Sequence, residues 1–234
     1  MNIEERFSKL ISDKGMSLLD NPFLVEKFFD MKEHISWSIL DEAINNDLAW
    51  WELIEKTGKK MDIPYTVPYW LAPMPQQNKS FIIDHVKRGY TFIIFKSFVL
   101  NEKLKSLMTI IQHCFNVAAD IHIYGSKGKS GGLSFTPHAD NPANFIIQVE
   151  GETEWVVFKN RVSDLLKVEY VLQEDDILKL DPVIETRLKP GDLLYIPSRH
   201  YHCAMPKSPR MSISIPCIPL NPTMIPADTS IYKI

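Results

Sequence analysis

A histidine and an aspartate lie two positions apart in the stretch FTPHADNPANFIIQVEGETEW, residues 135–155. Alternate residues of a β-strand point to the same face, so His138 and Asp140 would converge on one point if a strand begins here. Two such side chains form either a hydrogen-bonded pair or two ligands of a metal ion. The pair alone does not decide between these interpretations, and a third residue from elsewhere in the chain is needed.

Two further histidines occur in LKPGDLLYIPSRHYHCA, residues 188–204, where a Pro-Gly turn leads into an apolar strand. His200 and His202 would share one face of that strand. Two histidines and one carboxylate around one side of an iron ion leave adjacent coordination positions open, which suits non-haem Fe(II) oxygenases. The sequence therefore favours a metal site that joins the first pair to one histidine of the second stretch.

The elements that must position these residues are short β-strands. From residue 120 onward, β-branched runs alternate with Gly and Pro turns and no helix intervenes, a pattern typical of a β-sandwich or barrel. Just upstream, residues 90–98 predict a strand and residues 101–118 predict an amphipathic helix that begins at Asn101.

The first 60 residues, in contrast, predict helices. Residues 21–34 begin with Asn-Pro and space their apolar side chains along one face, and residues 38–60 repeat the pattern. The proline-rich stretch 62–80 predicts a loop. The expected class is therefore mainly β, or α+β overall. We expect three parts: an N-terminal helical and loop extension (1–87) packed on a β-barrel, the barrel domain itself (88–220), and a short C-terminal tail (221–234).

Composition and charge point to a soluble, cytoplasmic protein. The 234 residues carry 26 basic and 29 acidic side chains, a net charge of −3 that gives no indication of nucleic-acid binding. The three cysteines (Cys114, Cys203 and Cys217) form no CxxC pair, which favours reduced thiols. No apolar run is long enough for a membrane span, and the N-terminus lacks the apolar core of a signal peptide. The sequence is compatible with a monomer or a homodimer.

The two stretches that contain the histidines also carry a resemblance. TPHADNPANFIIQVEGETEWVVF, followed by LKPGDLLYIPSRHYHCA, resembles the JmjC or cupin-like Fe(II)/2-oxoglutarate oxygenases, closest to their ribosomal-oxygenase (cupin-4 type) branch. The likeness covers roughly residues 88 to 218. It implies a double-stranded β-helix, the cupin or jelly-roll barrel, in which His138, Asp140 and His202 are the metal ligands and catalytic residues. The cofactor would be Fe(II), with 2-oxoglutarate and O₂ as co-substrates, and His200 would be a neighbour of the metal site.

The resemblance also indicates where the co-substrate would be held. Relatives place a Lys or Arg fifteen residues after the first histidine, but this chain has Thr153 there. A hydroxyl donates one hydrogen bond and cannot supply the charge-assisted pair that a carboxylate favours. Arg210, followed by Ser212, resembles the Arg-x-Ser of other branches and is the candidate anchor; a solvated charge at a strand edge is the alternative. Tyr124 and Asn144 are further candidate contacts.

The implied activity is hydroxylation with release of succinate and CO₂. Ribosomal oxygenases carry further regions after the barrel, so the shorter chain favours an amino-acid, peptide or other small-molecule substrate. A ribosomal-type protein hydroxylase is one alternative. Because Thr153 replaces the cation, a metal-binding cupin enzyme that does not use 2-oxoglutarate is another, and a barrel that serves only for binding is a third.

Overall fold

The computed structural model describes residues 2–30, 35–55, 57–67, 76–128, 137–162, 174–206 and 209–220. The predicted C-terminal tail, residues 221–234, lies outside this part of the chain. Within it, no helix is both long and apolar enough to cross a membrane.

The helices begin and end as follows: α1 (Ile3–Lys14), α2 (Ile39–Asn45), α3 (Lys79–Lys87), α4 (Glu102–Phe115) and α5 (Glu174–Ile177). Side-chain caps explain where two of them begin. Asn2 and Glu5 form a reciprocal capping box at the start of α1, and the Asn101 side chain accepts a hydrogen bond from the backbone N–H of Leu104 in α4. The helix that the sequence predicts over 101–118 is confirmed as far as Phe115, and the strand predicted over 90–98 is confirmed for Thr91–Phe95.

Most of the described residues outside the helices form short antiparallel strands. They are β1 (Phe23–Val25), β2 (Trp50–Ile54), β3 (Lys60–Met61), β4 (Tyr65–Val67), β5 (Gln76–Gln77), β6 (Thr91–Phe95), β7 (Val117–Ala119), β8 (His122–Ser126), β9 (His138–Ala139), β10 (Ala143–Glu150), β11 (Thr153–Arg161), β12 (Pro182–Leu188), β13 (Leu193–Ile196), β14 (His200–Pro206) and β15 (Arg210–Pro219). The large sheet has the order β1-β13-β10-β15-β8-β6-β2-β3, with β7 also paired to β15. The small sheet has the order β12-β11-β14-β9, and β4 pairs with β5.

The large sheet is buried on both faces, and β10 shows why. Its side chains alternate, so Phe145 and Ile147 join a core with residues of α1 and α4, whereas Ile146 packs with Val157 of the small sheet. A strand covered on both sides reads as a continuous apolar run rather than an alternating one. The two facing sheets confirm the predicted mainly β class with a jelly-roll barrel.

Two of the predicted N-terminal helices are wrong. Part of the segment 21–34 is instead β1, which adds to the edge of the large sheet by pairing with β13 and stacks Phe23 on Tyr195 at 5.0 Å. The segment 38–60 is helical only to Asn45; Trp50–Ile54 is β2, which pairs with β6. Neighbouring strands supply pairing partners that the local apolar spacing does not reveal. The division of the chain at residue 87 stays a prediction.

Candidate metal centre

The small sheet brings the two distant sequence motifs together. β9 pairs with β14 so that His138 and His202 are direct partners across the strands, and Asp140 follows immediately after β9. Directly opposed residues of an antiparallel pair lie about 4.5–5.5 Å apart, close enough for their side chains to meet. The register therefore converts two separate stretches into one cluster of polar side chains.

The cluster has the geometry of a candidate metal site. One ligand atom from each of His138, Asp140 and His202 lies within 4.8 Å of the other two. The Nε2 atom of His202 is 3.7 Å from Oδ2 of Asp140, and the two imidazole ring centroids are 4.5 Å apart. His202 is buried while His138 and Asp140 are half-buried, so the group is open on one side.

Hydrogen bonding orients His202 with Nε2 toward the cluster. Its Nδ1 lies 2.9 Å from the backbone oxygen of His200, and a carbonyl oxygen can only accept a hydrogen bond, so Nδ1 carries the proton. Burial and the adjacent His138 lower the pKa of His202, which keeps the ring neutral. A neutral imidazole whose second nitrogen is held by the backbone is the usual form of a metal-ligating histidine.

His200 lies outside the cluster because both of its ring nitrogens are engaged elsewhere. Nδ1 lies 2.9 Å from the backbone oxygen of Phe158, and Nε2 accepts a hydrogen bond from Nε of Arg161 at 2.8 Å. Only the backbone oxygen of His200 contacts the cluster, because it accepts the hydrogen bond from Nδ1 of His202. His200 therefore supports the position of His202 through its backbone rather than adding a fourth ligand.

The carboxylate of Asp140 is also held in place. The Asn144 amide donates to Oδ2 of Asp140 at 3.2 Å and accepts a hydrogen bond from the Ser214 hydroxyl at 3.1 Å. The backbone of Asp140 is held as well: the backbone N–H of Arg199 donates a hydrogen bond to the carbonyl oxygen of Asp140 at 2.8 Å. Arg199 adopts φ +68°, a left-handed conformation that is uncommon for a residue with a side chain. The turn between β13 and β14 thus fixes the backbone of the aspartate.

The cluster opens into a cavity of about 290 Å³ between the two sheets. Four of the five candidate co-substrate contacts lie on its wall: Tyr124, Asn144, Arg210 and Ser212. The remaining lining residues are Glu52, Ile93, Phe95, Ile146, Trp155, Ala204 and Ser214, besides the three residues of the cluster. A concave, mostly apolar pocket with a few convergent polar groups is the usual form of a small-molecule site.

Arg210 is the cation of this cavity. It begins β15, is only 3% exposed, and lies two residues along the strand from Ser212, which is opposite Tyr124. Burial lowers the pKa of Arg210 to about 10. The alternative interpretation of Arg210, a solvated charge at a strand edge, does not fit this burial. Its neighbour Ser212 donates to the Gln148 side chain at 2.9 Å.

Thr153 does not line the cavity, in contrast to Arg210. It begins β11 between Leu188 and Pro206 on the neighbouring strands and is fully buried. Its hydroxyl oxygen has no hydrogen-bond partner within the described residues. The position where relatives place their cation thus carries a small, enclosed side chain here.

Two residues that line the cavity are not among the site residues predicted from the sequence. Glu52 lies on β2, for which the sequence predicts a helix, and the short apolar run WWELI offers no signal that distinguishes a strand from a helix. Trp155 also lines the cavity, with its ring centroid 6.1 Å from that of His202. His122 is not among the lining residues, and its Nε2 lies 3.2 Å from the carboxylate of Asp120.

Comparison with known proteins places these features in a family. A model described as JmjC domain matches residues 94–223. A lysine-specific demethylase and histidyl-hydroxylase NO66 of Dictyostelium discoideum is 26% identical over 91% of this chain and 40% of its own length. Human ribosomal oxygenase 1 is 34% identical over 42% of this chain and 15% of its own length. The chain thus spans less than half the length of these curated relatives.

Solved structures show the same fold. YcfD, a ribosomal oxygenase from Escherichia coli, matches with a TM-score of 0.61 and 20% identity, over 88% of this chain and 51% of that chain. A second structure of YcfD, in complex with cobalt and 2-oxoglutarate, matches with a TM-score of 0.57 and 19% identity, over 87% and 49%. The family model covers more than half of the residues, and the chain therefore belongs to the JmjC domain family.

Proposed function

We propose that the chain is an Fe(II)- and 2-oxoglutarate-dependent oxygenase that hydroxylates an amino-acid, peptide or other small-molecule substrate, with release of succinate and CO₂. The observation that carries this proposal is the cluster of His138, Asp140 and His202 beside Arg210 in one cavity. Membership of the JmjC family and the relatives named as hydroxylases and oxygenases support it.

The cluster fits Fe(II) by the chemistry of its donor atoms. Two neutral imidazole nitrogens and one carboxylate oxygen form the facial arrangement that non-haem Fe(II) enzymes use. The hydrogen bonds that His202 makes to His200 and that Asp140 receives from Asn144 hold two of the ligands in place. Such outer contacts typically contribute 10- to 100-fold to metal affinity.

The cavity fits 2-oxoglutarate by its charge. A guanidinium that is buried as deeply as Arg210 is costly to keep charged, and a carboxylate ligand offsets that cost through charge-assisted hydrogen bonds. Arg210 would therefore hold the carboxylate at one end of 2-oxoglutarate. The keto-acid end of 2-oxoglutarate would then face the metal ligands His138, Asp140 and His202. Ser212 and Tyr124 lie on adjacent strands at this wall and would complete the polar contacts.

The protein's own contribution is to bind, orient and keep water out. When bound, Fe(II) and 2-oxoglutarate supply the oxidising chemistry that inserts one oxygen atom of O₂ into a substrate C–H bond. The apolar side chains of Ile146 and Trp155 line the cavity and would limit the access of water to it. Asn144 holds the Asp140 carboxylate toward the cluster, so the ligand geometry is set before any substrate arrives.

A protein substrate is the second candidate. The relatives are named as ribosomal oxygenases and as a histidyl-hydroxylase, and those names favour a residue within a protein as the group that is oxidised. The choice between the two substrate classes depends on which compounds stimulate turnover of 2-oxoglutarate.

The experiment that tests the proposed function measures succinate formed from 2-oxoglutarate in air, with and without Fe(II). We expect Fe(II)-dependent succinate with the wild type, at least a hundredfold less with His202→Ala, and no change with His113→Ala, an exposed histidine on α4. Wild-type protein that binds iron but neither binds 2-oxoglutarate nor forms succinate would contradict the proposal and favour a cupin enzyme that does not use 2-oxoglutarate.

A further inference from the structure

One carboxylate of the cavity has no part in the proposed metal and co-substrate sites. Glu52 on β2 pairs with Ile93 on β6, which in turn pairs with Tyr124 on β8, and all three residues line the cavity. Strands in a sheet are about 4.8 Å apart, so the Glu52 backbone lies about 10 Å from that of Tyr124 on the same face. Glu52 therefore faces the space that a substrate would occupy.

Among the described residues that line the cavity, no cation is left to pair with Glu52 once metal and co-substrate are bound. The two positive charges of Fe(II) and the one of Arg210 would balance the charge of Asp140 and the two of 2-oxoglutarate. A loaded site would thus be neutral at its centre and negative along the wall formed by β2.

Lys60, on the adjacent strand β3, forms an ion pair with Glu52, but from outside the cavity. The Lys60 side chain is 60% exposed, compared with 20% for Glu52. Ion pairs with such exposed partners contribute little, because solvent screens them and long side chains lose entropy when they are held. A cation delivered into the cavity can therefore compete with Lys60 for the carboxylate.

We propose that Glu52 selects substrates that carry a cationic group at the end of an apolar stem. Ile93 and Phe95, which line the same wall, would contact the stem, and the Glu52 carboxylate would bind the charged end. The inference rests on the proposed function, because it assigns the substrate class of that same cavity.

Calorimetric titration of the full chain, loaded with Mn(II) and 2-oxoglutarate, tests this assignment. Two matched pairs of probes differ only in charge: N-acetyl-lysine amide against N-acetyl-6-hydroxynorleucine amide, and N-acetyl-arginine amide against N-acetyl-citrulline amide. We expect at least one cationic probe to bind about tenfold more tightly than its neutral counterpart at low salt, because the carboxylate attracts it in a partly desolvated cavity.

Three variants assign any preference to Glu52. Glu52→Gln keeps the shape and should reduce the preference to less than twofold. Glu154→Gln removes an equivalent charge, paired with Arg187 on the small sheet and not lining the cavity, and should leave the preference unchanged. Lys60→Ala removes the competing cation and should tighten the cationic probe about threefold.

The possible results separate this inference from the proposed function. If wild-type protein does not bind 2-oxoglutarate in the presence of Mn(II), both are overturned. If it binds 2-oxoglutarate but distinguishes neither pair of probes, or if Glu52→Gln retains the full preference, only the assignment of Glu52 is overturned.

Discussion

At the scale of single residues, the sequence led to the candidate metal ligands, whereas the burial of the candidate co-substrate anchor, Arg210, could not be predicted. His138 and Asp140 are two apart, and the strand that contains His202 is recognisable from local sequence, but only the family resemblance favoured His202 over His200. Whether Arg210 points inward depends on which strands flank β15, and β8 and β10 are distant in sequence. Only the assembled sheet shows that this arginine is buried beside the ligands.

The role of Arg210 leads to a prediction about co-substrate affinity. Arg210→Met keeps an unbranched stem in the buried position but removes the charge-assisted hydrogen bonds, which contribute about 1.5–3 kcal/mol. We expect 2-oxoglutarate to bind about 10- to 100-fold more weakly, measured by calorimetry with Mn(II) present. Arg187→Met, at an exposed arginine outside the cavity, serves as the control. An unchanged dissociation constant in Arg210→Met would remove Arg210 from the co-substrate site.

At the scale of elements, the strands around the metal ligands followed from the sequence, and β2 did not. The residues of β2, WWELI, are apolar enough to fit either a helix or a strand, and short apolar runs do not distinguish the two. Pairing with β6 decides the outcome, because β6 offers a free edge that a helix would leave unpaired. The misassigned strand carries Glu52, so an error in one element concealed one residue of the cavity.

The contact between α1 and the large sheet leads to a prediction about stability. Phe7 is fully buried, and its ring lies 5.0–6.1 Å from four other aromatic rings: Phe28, Phe29, Phe115 and Phe145. Phe7→Ala should lower the free energy of unfolding by about 3–5 kcal/mol, measured by urea denaturation. Leu48→Ala, at an exposed apolar residue, should change it by less than about 0.5 kcal/mol. A loss below about 1 kcal/mol in Phe7→Ala would show that α1 is not part of the core.

At the scale of the whole molecule, the site exists because two sheets face each other with helices behind one of them. The small sheet supplies His138 and His202, whereas the large sheet supplies Arg210 and Glu52. The sequence predicted a barrel from its short strands and turns. It could not predict the cavity between the sheets, because a cavity depends on the packing of side chains from many distant strands.

Mn(II) and 2-oxoglutarate would bind side by side and would together contact residues of both sheets. We therefore expect the two to stabilise the folded protein cooperatively. Each ligand that binds only the folded state stabilises it by mass action, about 2.7 kcal/mol at a hundredfold excess over its dissociation constant. Mn(II) and 2-oxoglutarate together should raise Tm by about 5–10 °C, and by more than the two separate shifts combined. Thermal scans of the wild type and of His138→Ala measure this. An equal rise in both proteins would contradict binding at the cluster.

The central claim is that the His138–Asp140–His202 cluster holds Fe(II) in direct contact with 2-oxoglutarate. Anaerobic titration of the metal-free protein with Fe(II) and 2-oxoglutarate tests it most directly, because chelation of the metal by the keto acid gives a metal-to-ligand charge-transfer band in the visible region. We predict a saturable band in the wild type that is absent from His202→Ala. A wild type that binds Fe(II) and gives no band with 2-oxoglutarate would contradict the claim.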